Sequence, residues 1–308
     1  MILDDANLTA PLAALAGASP ERPAWAEAAL ARLPERLTVA VEGCPIEVLR
    51  WGRRGDRGVL LAHGNGAHAD WWSYLAPLLA DEGWNVAALS WSGMGGSGWR
   101  EAYAMETFVA ELIAAAEAAG LYEHALAPVF VGHSFGGFPV MAAAARHPER
   151  LAGIITLDSS IEPPDEMWDG PPRRSRANAV YPTLEAALAR FRLAPPQHCP
   201  TLWALDHIAR TSLKQVEDGW TWKFDPFLWN HFRMPDPLGW TSRITTPFTV
   251  IRGRESMLAT DAIWAYMRTI APPQTRWVSV ANARHHLMLD EPLATLAALS
   301  AALSVQFS

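Results

Sequence analysis

A serine, a pair of histidines and two acids stand where nucleophilic chemistry would need them. Ser134 lies in Gly132-His133-Ser134-Phe135-Gly136. His285 and His286 follow downstream, in His285-His286-Leu287-Met288-Leu289-Asp290-Glu291-Pro292. A serine hydroxyl is a poor nucleophile until a base takes its proton, and a base works best when an acid orients it. Asp158 and Glu255 are the candidate acids. Asp158 ends an apolar run, 151–157, at the carboxyl edge where sites form in open α/β sheets.

The serine must be held by a particular local structure. Val129-Phe130-Val131 is an apolar strand, and small residues from Ala142 to Ala145 begin a helical pattern soon after the turn. A strand, a sharp turn and a helix therefore bracket Ser134, pushing its hydroxyl beyond the sheet edge. Gly132 and Gly136 lack Cβ atoms, so strand and helix can close on either side. The helix N-terminus points amides at the space above the serine, where negative charge is favoured.

With this elbow, the His63-Gly64 loop and the downstream histidine in that order, the chain from about residue 37 resembles the α/β-hydrolase superfamily. The resemblance implies a mostly parallel twisted sheet flanked by helices, with a helical cap inserted over the site. It implies that the Asn65 amide, with that of Phe135, forms an oxyanion hole, which typically contributes about 10²–10³ in rate per donor. The family spacing puts the catalytic histidine seven residues before Pro292, at His285, with His286 beside it. Many members place the acid three residues after the glycine of Arg252-Gly253-Arg254-Glu255-Ser256, but this chain has Ser256 there. Asp158 is the preferred acid, because it needs no shift of the loop that orients the imidazole, and Glu255 is the alternative. A similar departure follows the strand at 85–89, where the family's Gly-rich loop usually opens with aspartate and this chain has Ser90. The glycines from Gly93 to Gly98 predict a mobile loop.

The rest of the chain divides around these motifs. Residues 1–36 read as an N-terminal extension with a helix over 23–33. Residues 37–160 and 241–308 read as the core. Strands are expected at 37–41, 46–51, 59–62, 248–251 and 276–280, and helices at 71–80, 105–119, 260–270 and 291–303. Residues 161–240 break the rhythm with Pro163-Pro164, Pro171-Pro172 and Pro195-Pro196, and read as the cap, with helices at 184–191 and 202–213. Its tail carries Trp220, Trp222, Phe224, Phe227 and Trp229, which with Trp71, Trp72 and His286 are candidates to line an apolar pocket.

Composition narrows the partners. A net charge of −7 without a basic run argues against nucleic acid. The N-terminus lacks the pattern of a signal peptide, and no uncharged apolar run reaches about 18 residues. Two distant cysteines, Cys44 and Cys199, suit a reducing compartment, so a cytoplasmic protein is expected. His63 reads as a structural hydrogen bonder rather than a metal ligand, and the pair His285-His286 with Asp290 is a poor tetrahedral set. No metal or organic cofactor is expected, and a homodimer is compatible. The resulting expectation is a serine hydrolase acting through an acyl-enzyme on a carboxylic ester or lactone of a hydrophobic small molecule. Serine at the elbow disfavours epoxide hydrolysis, for which this fold uses aspartate. Amide, carbon–carbon and perhydrolysis chemistry, or a small-molecule binder with little turnover, remain alternatives.

Overall fold

The computed structural model describes residues 8–164 and 173–306, so Pro171-Pro172 and the first seven residues of the N-terminal extension lie outside it. Its centre is an eight-stranded sheet in the order β1-β2-β4-β3-β5-β6-β9-β10. The strands are β1 (Glu35–Val41), β2 (Cys44–Trp51), β3 (Arg57–Ala62), β4 (Trp84–Leu89), β5 (Val129–His133), β6 (Gly153–Leu157), β9 (Phe248–Gly253) and β10 (Arg276–Val280). The β1–β2 and β2–β4 pairs are antiparallel, whereas the pairs from β4 through β3, β5, β6 and β9 to β10 are parallel. The chain thus has a mostly parallel sheet, as the sequence implies.

The period of two along each strand explains why the middle strands are apolar throughout. Val59, Leu61, Val129, Val131 and Ile155 feed one core, with Leu79 and Leu299 from the helices Ala76–Asp81 and Pro292–Gln306. The alternate residues Leu60, Ala62, Phe130 and Ile154 feed the other, with residues of the helices Met105–Ala118, Gly137–Arg146 and Asp261–Ile270. Both faces are covered, so function is left to the sheet's edge. There the carboxyl ends of β3, β4, β5, β6, β9 and β10 deliver the His63, Ser90, Ser134, Asp158, Ser256 and His285 loops in turn.

Three local expectations change. The helix expected over 71–80 is a short 3-10 turn, Ala69–Trp72, then a separate helix, Ala76–Asp81. Pro77 causes the restart: it lacks an N–H and fits only the first turn of a helix. The glycine loop after β4 is pinned rather than mobile. Gly93 N–H donates to Gly98 O at 2.8 Å, Gly98 N–H to Pro45 O at 2.8 Å and Ser97 Oγ to Ser90 O at 2.6 Å. Its glycines supply left-handed backbone, at φ 80° for Gly93 and 58° for Gly95.

Among its described residues, the stretch between β6 and β9 is less helical than expected. It holds short helices at Leu184–Leu188, Leu202–Thr211, Leu228–His231 and Leu238–Thr241, and a two-stranded hairpin, β7 (Leu213–Val216) with β8 (Gly219–Trp222). Trp220 and Trp222 alternate with Gly219 and Thr221, a strand pattern of bulky residues, and Glu217-Asp218 makes the turn. This stretch is tied to the core by buried polar contacts. Tyr103 Oη donates to Asp225 Oδ2 at 2.7 Å, and Asp225 N–H donates to Gly93 O at 2.7 Å.

Candidate active site

Ser134 follows β5 directly and takes φ 52°, in the left-handed region. The glycines around it are sterically required. A Cβ on Gly132 would sit 2.3 Å from Gly136 O, and one on Gly136 would sit 2.6 Å from His63 O. The turn begins a helix, so the Phe135 amide belongs to the first turn, whose N–H groups have no partner within the helix. The Gly64 loop presses against the same place: a Cβ on Gly64 would be 3.0 Å from Ser134 Cβ.

Asp158, Ser134 and His285 are brought into one hydrogen-bonded chain. His285 Nε2 lies 2.9 Å from Ser134 Oγ, and His285 Nδ1 lies 2.8 Å from Asp158 Oδ2. Asp158 and His285 are buried, whereas Ser134 is partly exposed. Glu255 is not in this chain. Its backbone N–H donates to Ala283 O at 2.9 Å, and its exposed carboxylate pairs with Arg284 at 3.3 Å. Asp158 takes φ 48°, again left-handed, and accepts from Gly253 N–H at 3.0 Å and Ser256 Oγ at 2.5 Å. Ser256 therefore meets Asp158 from the position where the sequence led us to look for an acid.

The histidines divide by their hydrogen bonds. Trp91 N–H donates to His63 Nε2 at 3.1 Å, so the His63 proton is on Nδ1, 2.7 Å from Gly64 O. His63 thus fastens the β3 loop to the β4 loop as a structural group. Burial holds it neutral, with a pKa pushed down to about 3. His133 is the residue that sequence reasoning passed over, although a polar residue ending an apolar strand was the signal. Its Nε2 donates to His285 O at 2.9 Å and so fixes the backbone beneath the imidazole. Burial, then the nearby His285, push the His133 pKa down to about 3. His286 packs against His285 at 4.7 Å, His133 at 5.6 Å and Trp71 at 5.6 Å between ring centroids. Burial and these two imidazoles push its pKa well below the ordinary value.

His133, His285 and His286 bring ligand nitrogens within 4.8 Å of one another, a grouping that the sequence did not suggest. Both nitrogens of His285 are already committed, to Ser134 and Asp158, and His133 Nε2 is committed to a carbonyl. With both its nitrogens engaged, His285 is poorly placed to serve as a metal ligand.

The aromatic candidates do not all reach Ser134. Trp229 donates from Nε1 to Asn65 Oδ1 at 2.8 Å and meets Phe135 edge-on at 5.4 Å, so it joins both residues of the expected oxyanion hole. Trp222 instead packs on Tyr181 and Phe191, at 6.1 and 6.0 Å, and Trp220 pairs with Gln215 across the hairpin. Trp71 and Trp72 belong to the core, Trp72 being 1% exposed. Phe227 is half-buried, and its amide donates to Asp225 Oδ1 at 2.8 Å.

An elbow serine at the end of a parallel strand, with an imidazole and an acid from later strand ends, is the arrangement of the α/β-hydrolase class. The profile of the alpha/beta hydrolase fold family matches residues 59–292, and the chain belongs to that family. It is 33% identical over 127 residues to epoxide hydrolase A of Mycobacterium tuberculosis, covering 40% of this chain and 38% of that protein. It is 34% identical over 117 residues to lipase LipV of the same organism, covering 38% of this chain and 42% of that protein. The chain thus spans about two fifths of each of these relatives. In fold it is similar to the thioesterase domain from the curacin biosynthetic pathway, with a TM-score of 0.72 at 20% identity over 87% of this chain and 99% of that one. Among the described residues no helix is long and apolar enough to cross a membrane.

Proposed function

We propose that the chain is a serine hydrolase that cleaves a carboxylic ester or lactone of a hydrophobic small molecule through an acyl-enzyme. The observation that supports this reading is the continuous contact from Ser134 Oγ through His285 to Asp158, at 2.9 and 2.8 Å. In this reading His285 Nε2 takes the Ser134 proton as Oγ attacks the ester carbon. The carbonyl oxygen becomes an oxyanion and is met by the amides of Phe135 and Asn65. The intermediate collapses, His285 returns the proton to the leaving alkoxide, and the acyl group stays on Ser134. A water, activated by the same imidazole, then releases the acid. Asp158 holds the tautomer and offsets the charge of the imidazolium. No metal or organic cofactor enters these steps.

The segment 161–240 acts in this reading as a cap over the strand ends. Trp229, resting on Phe135 and Asn65, is its best-placed pocket residue. An elbow serine also favours ester cleavage over epoxide opening, although several relatives bear the name epoxide hydrolase. Cys44 and Cys199 are buried free thiols, which suits a reducing compartment such as the cytoplasm.

The test is release of 4-nitrophenol from short and medium acyl esters by the wild type and by Ser134→Ala. Serine-dependent turnover with a burst of one nitrophenol per chain is expected. Equal turnover by folded Ser134→Ala would remove the nucleophile from this reading.

A further inference from the structure

The Ser256 hydroxyl has one proton, and three neighbours decide where it goes. The amides of Leu258 and Ala259 both donate to its Oγ, each at 3.1 Å. Asp158 Oδ2 stands 2.5 Å from the same oxygen and, as a carboxylate, can only accept. With two donors already aimed at Oγ, the hydroxyl proton points to Asp158. Gly253 braces the same turn: its carbonyl accepts the Ser256 amide at 3.1 Å, and its own amide reaches Asp158 Oδ1 at 3.0 Å. The turn after β9 is thus closed on itself and aimed at the carboxylate. Its position is fixed further because a Cβ on Gly253 would lie 2.2 Å from Arg284 O, the residue before His285.

We infer that Ser256 is a positioning residue of the same reaction: its hydroxyl relays two backbone amides to Asp158 and holds that carboxylate against His285. The inference rests on the function proposed above. Two donors, Ser256 Oγ and His285 Nδ1, converge on Oδ2, while Gly253 N–H holds Oδ1. A carboxylate gripped at both oxygens cannot rotate away from the imidazole. Chains of hydrogen bonds polarise one another, so amides that do not touch Asp158 still act on it. Asp158 itself is 1% exposed, so no bulk water replaces a lost donor without opening the core. If Ser256 only closed its own turn, removing the hydroxyl would change stability and leave the imidazole undisturbed.

The experiment compares wild type, Ser256→Ala and Ser256→Thr, each checked for folding by its thermal transition. Kinetics on a 4-nitrophenyl ester are read as kcat and KM separately. The proton NMR signal of His285 Nδ1–H, assigned by its loss in Asp158→Asn, is followed in parallel. A hydrogen bond to a charged group corresponds to roughly a 10- to 100-fold effect, so kcat of Ser256→Ala should fall by about that factor with KM within about twofold. Ser256→Thr should recover most of the loss, and the Nδ1 proton should move in Ser256→Ala and return in Ser256→Thr. Folded Ser256→Ala with wild-type kcat and an unmoved Nδ1 proton would overturn the inference. So would a loss that Ser256→Thr leaves unrepaired. If the wild type lacks serine-dependent turnover, the proposed function fails separately and the NMR signal alone decides: displaced in Ser256→Ala, it supports the positioning role; unmoved, it ends it.

Discussion

After β4 and again after β9 the chain carries serine where its resemblance to other α/β hydrolases leads one to look for aspartate. In both loops the hydroxyl accepts from backbone and donates to a carboxylate sent from a neighbouring strand. Ser90 Oγ accepts from Ala69 N–H at 3.0 Å and donates to Glu47 Oε2 at 2.8 Å; Glu47 belongs to β2. Ser256 does the same with Leu258, Ala259 and Asp158, at the end of β6. The two differ at the far end. Glu47 meets Arg36 at 3.0 Å, a guanidinium that keeps its charge. Asp158 meets an imidazole whose charge must appear and vanish in each proposed turnover. The first arrangement can only hold loops together; the second can also answer to a proton.

That contrast is sharpest at the acid itself. Asp158→Asn should lower turnover by about 10⁴, the scale seen when a triad acid is replaced by its amide. Glu255→Gln, on an exposed side chain paired with Arg284, should leave kcat within about twofold. Rates on one ester for both variants check this, and the reverse ranking would break the comparison. The β4 loop should respond in stability instead. Glu47→Gln weakens bonds to Ser90, Gly96 and Arg36, and should cost about 1–3 kcal/mol in denaturant unfolding while kcat changes little. A large kcat loss with stability intact would place Glu47 in the chemistry. A separate effect concerns pH. His63, His133 and His68 titrate near 6.5 when unfolded, but burial depresses them in the fold to about 3, 3 and 4. The unfolded chain therefore takes up protons that the fold refuses. Their stability contribution is complete above about pH 6.5 and is lost as pH falls towards 4. Thermal midpoints from pH 8 to 4 should be flat, then fall.

The sheet was legible because apolar runs such as Val59–Ala62 and Val129–Val131 have a single cause, burial on both faces. The elbow was legible for a different reason: Gly132 and Gly136 have no room for a Cβ, and such constraints leave a mark on sequence. Of the two candidate acids, Asp158 touches His285, whereas Glu255 pairs with Arg284. Ser256 was read only as an absent carboxylate, because its role depends on a strand about 100 residues earlier in the chain. The aromatic segment was misread in part: tryptophans at alternating positions suit a hairpin as well as a pocket, and composition does not separate the two. His133 gave a faint signal, and its value depends on a carbonyl of the distant His285 loop.

Ser134 and Asp158 share a backbone feature with consequences of its own. Both sit at positive φ, 52° and 48°, where glycine is at ease and other residues are strained by on the order of 1 kcal/mol or more. Relaxed selection would relieve that strain first. Glycine or asparagine at position 158 is one nucleotide away from aspartate, and either would make the backbone more comfortable. A lineage that had stopped using this site would drift towards a calmer fold at these two positions before its core changed. The ends of the relay are therefore the places where disuse would first be written into the gene.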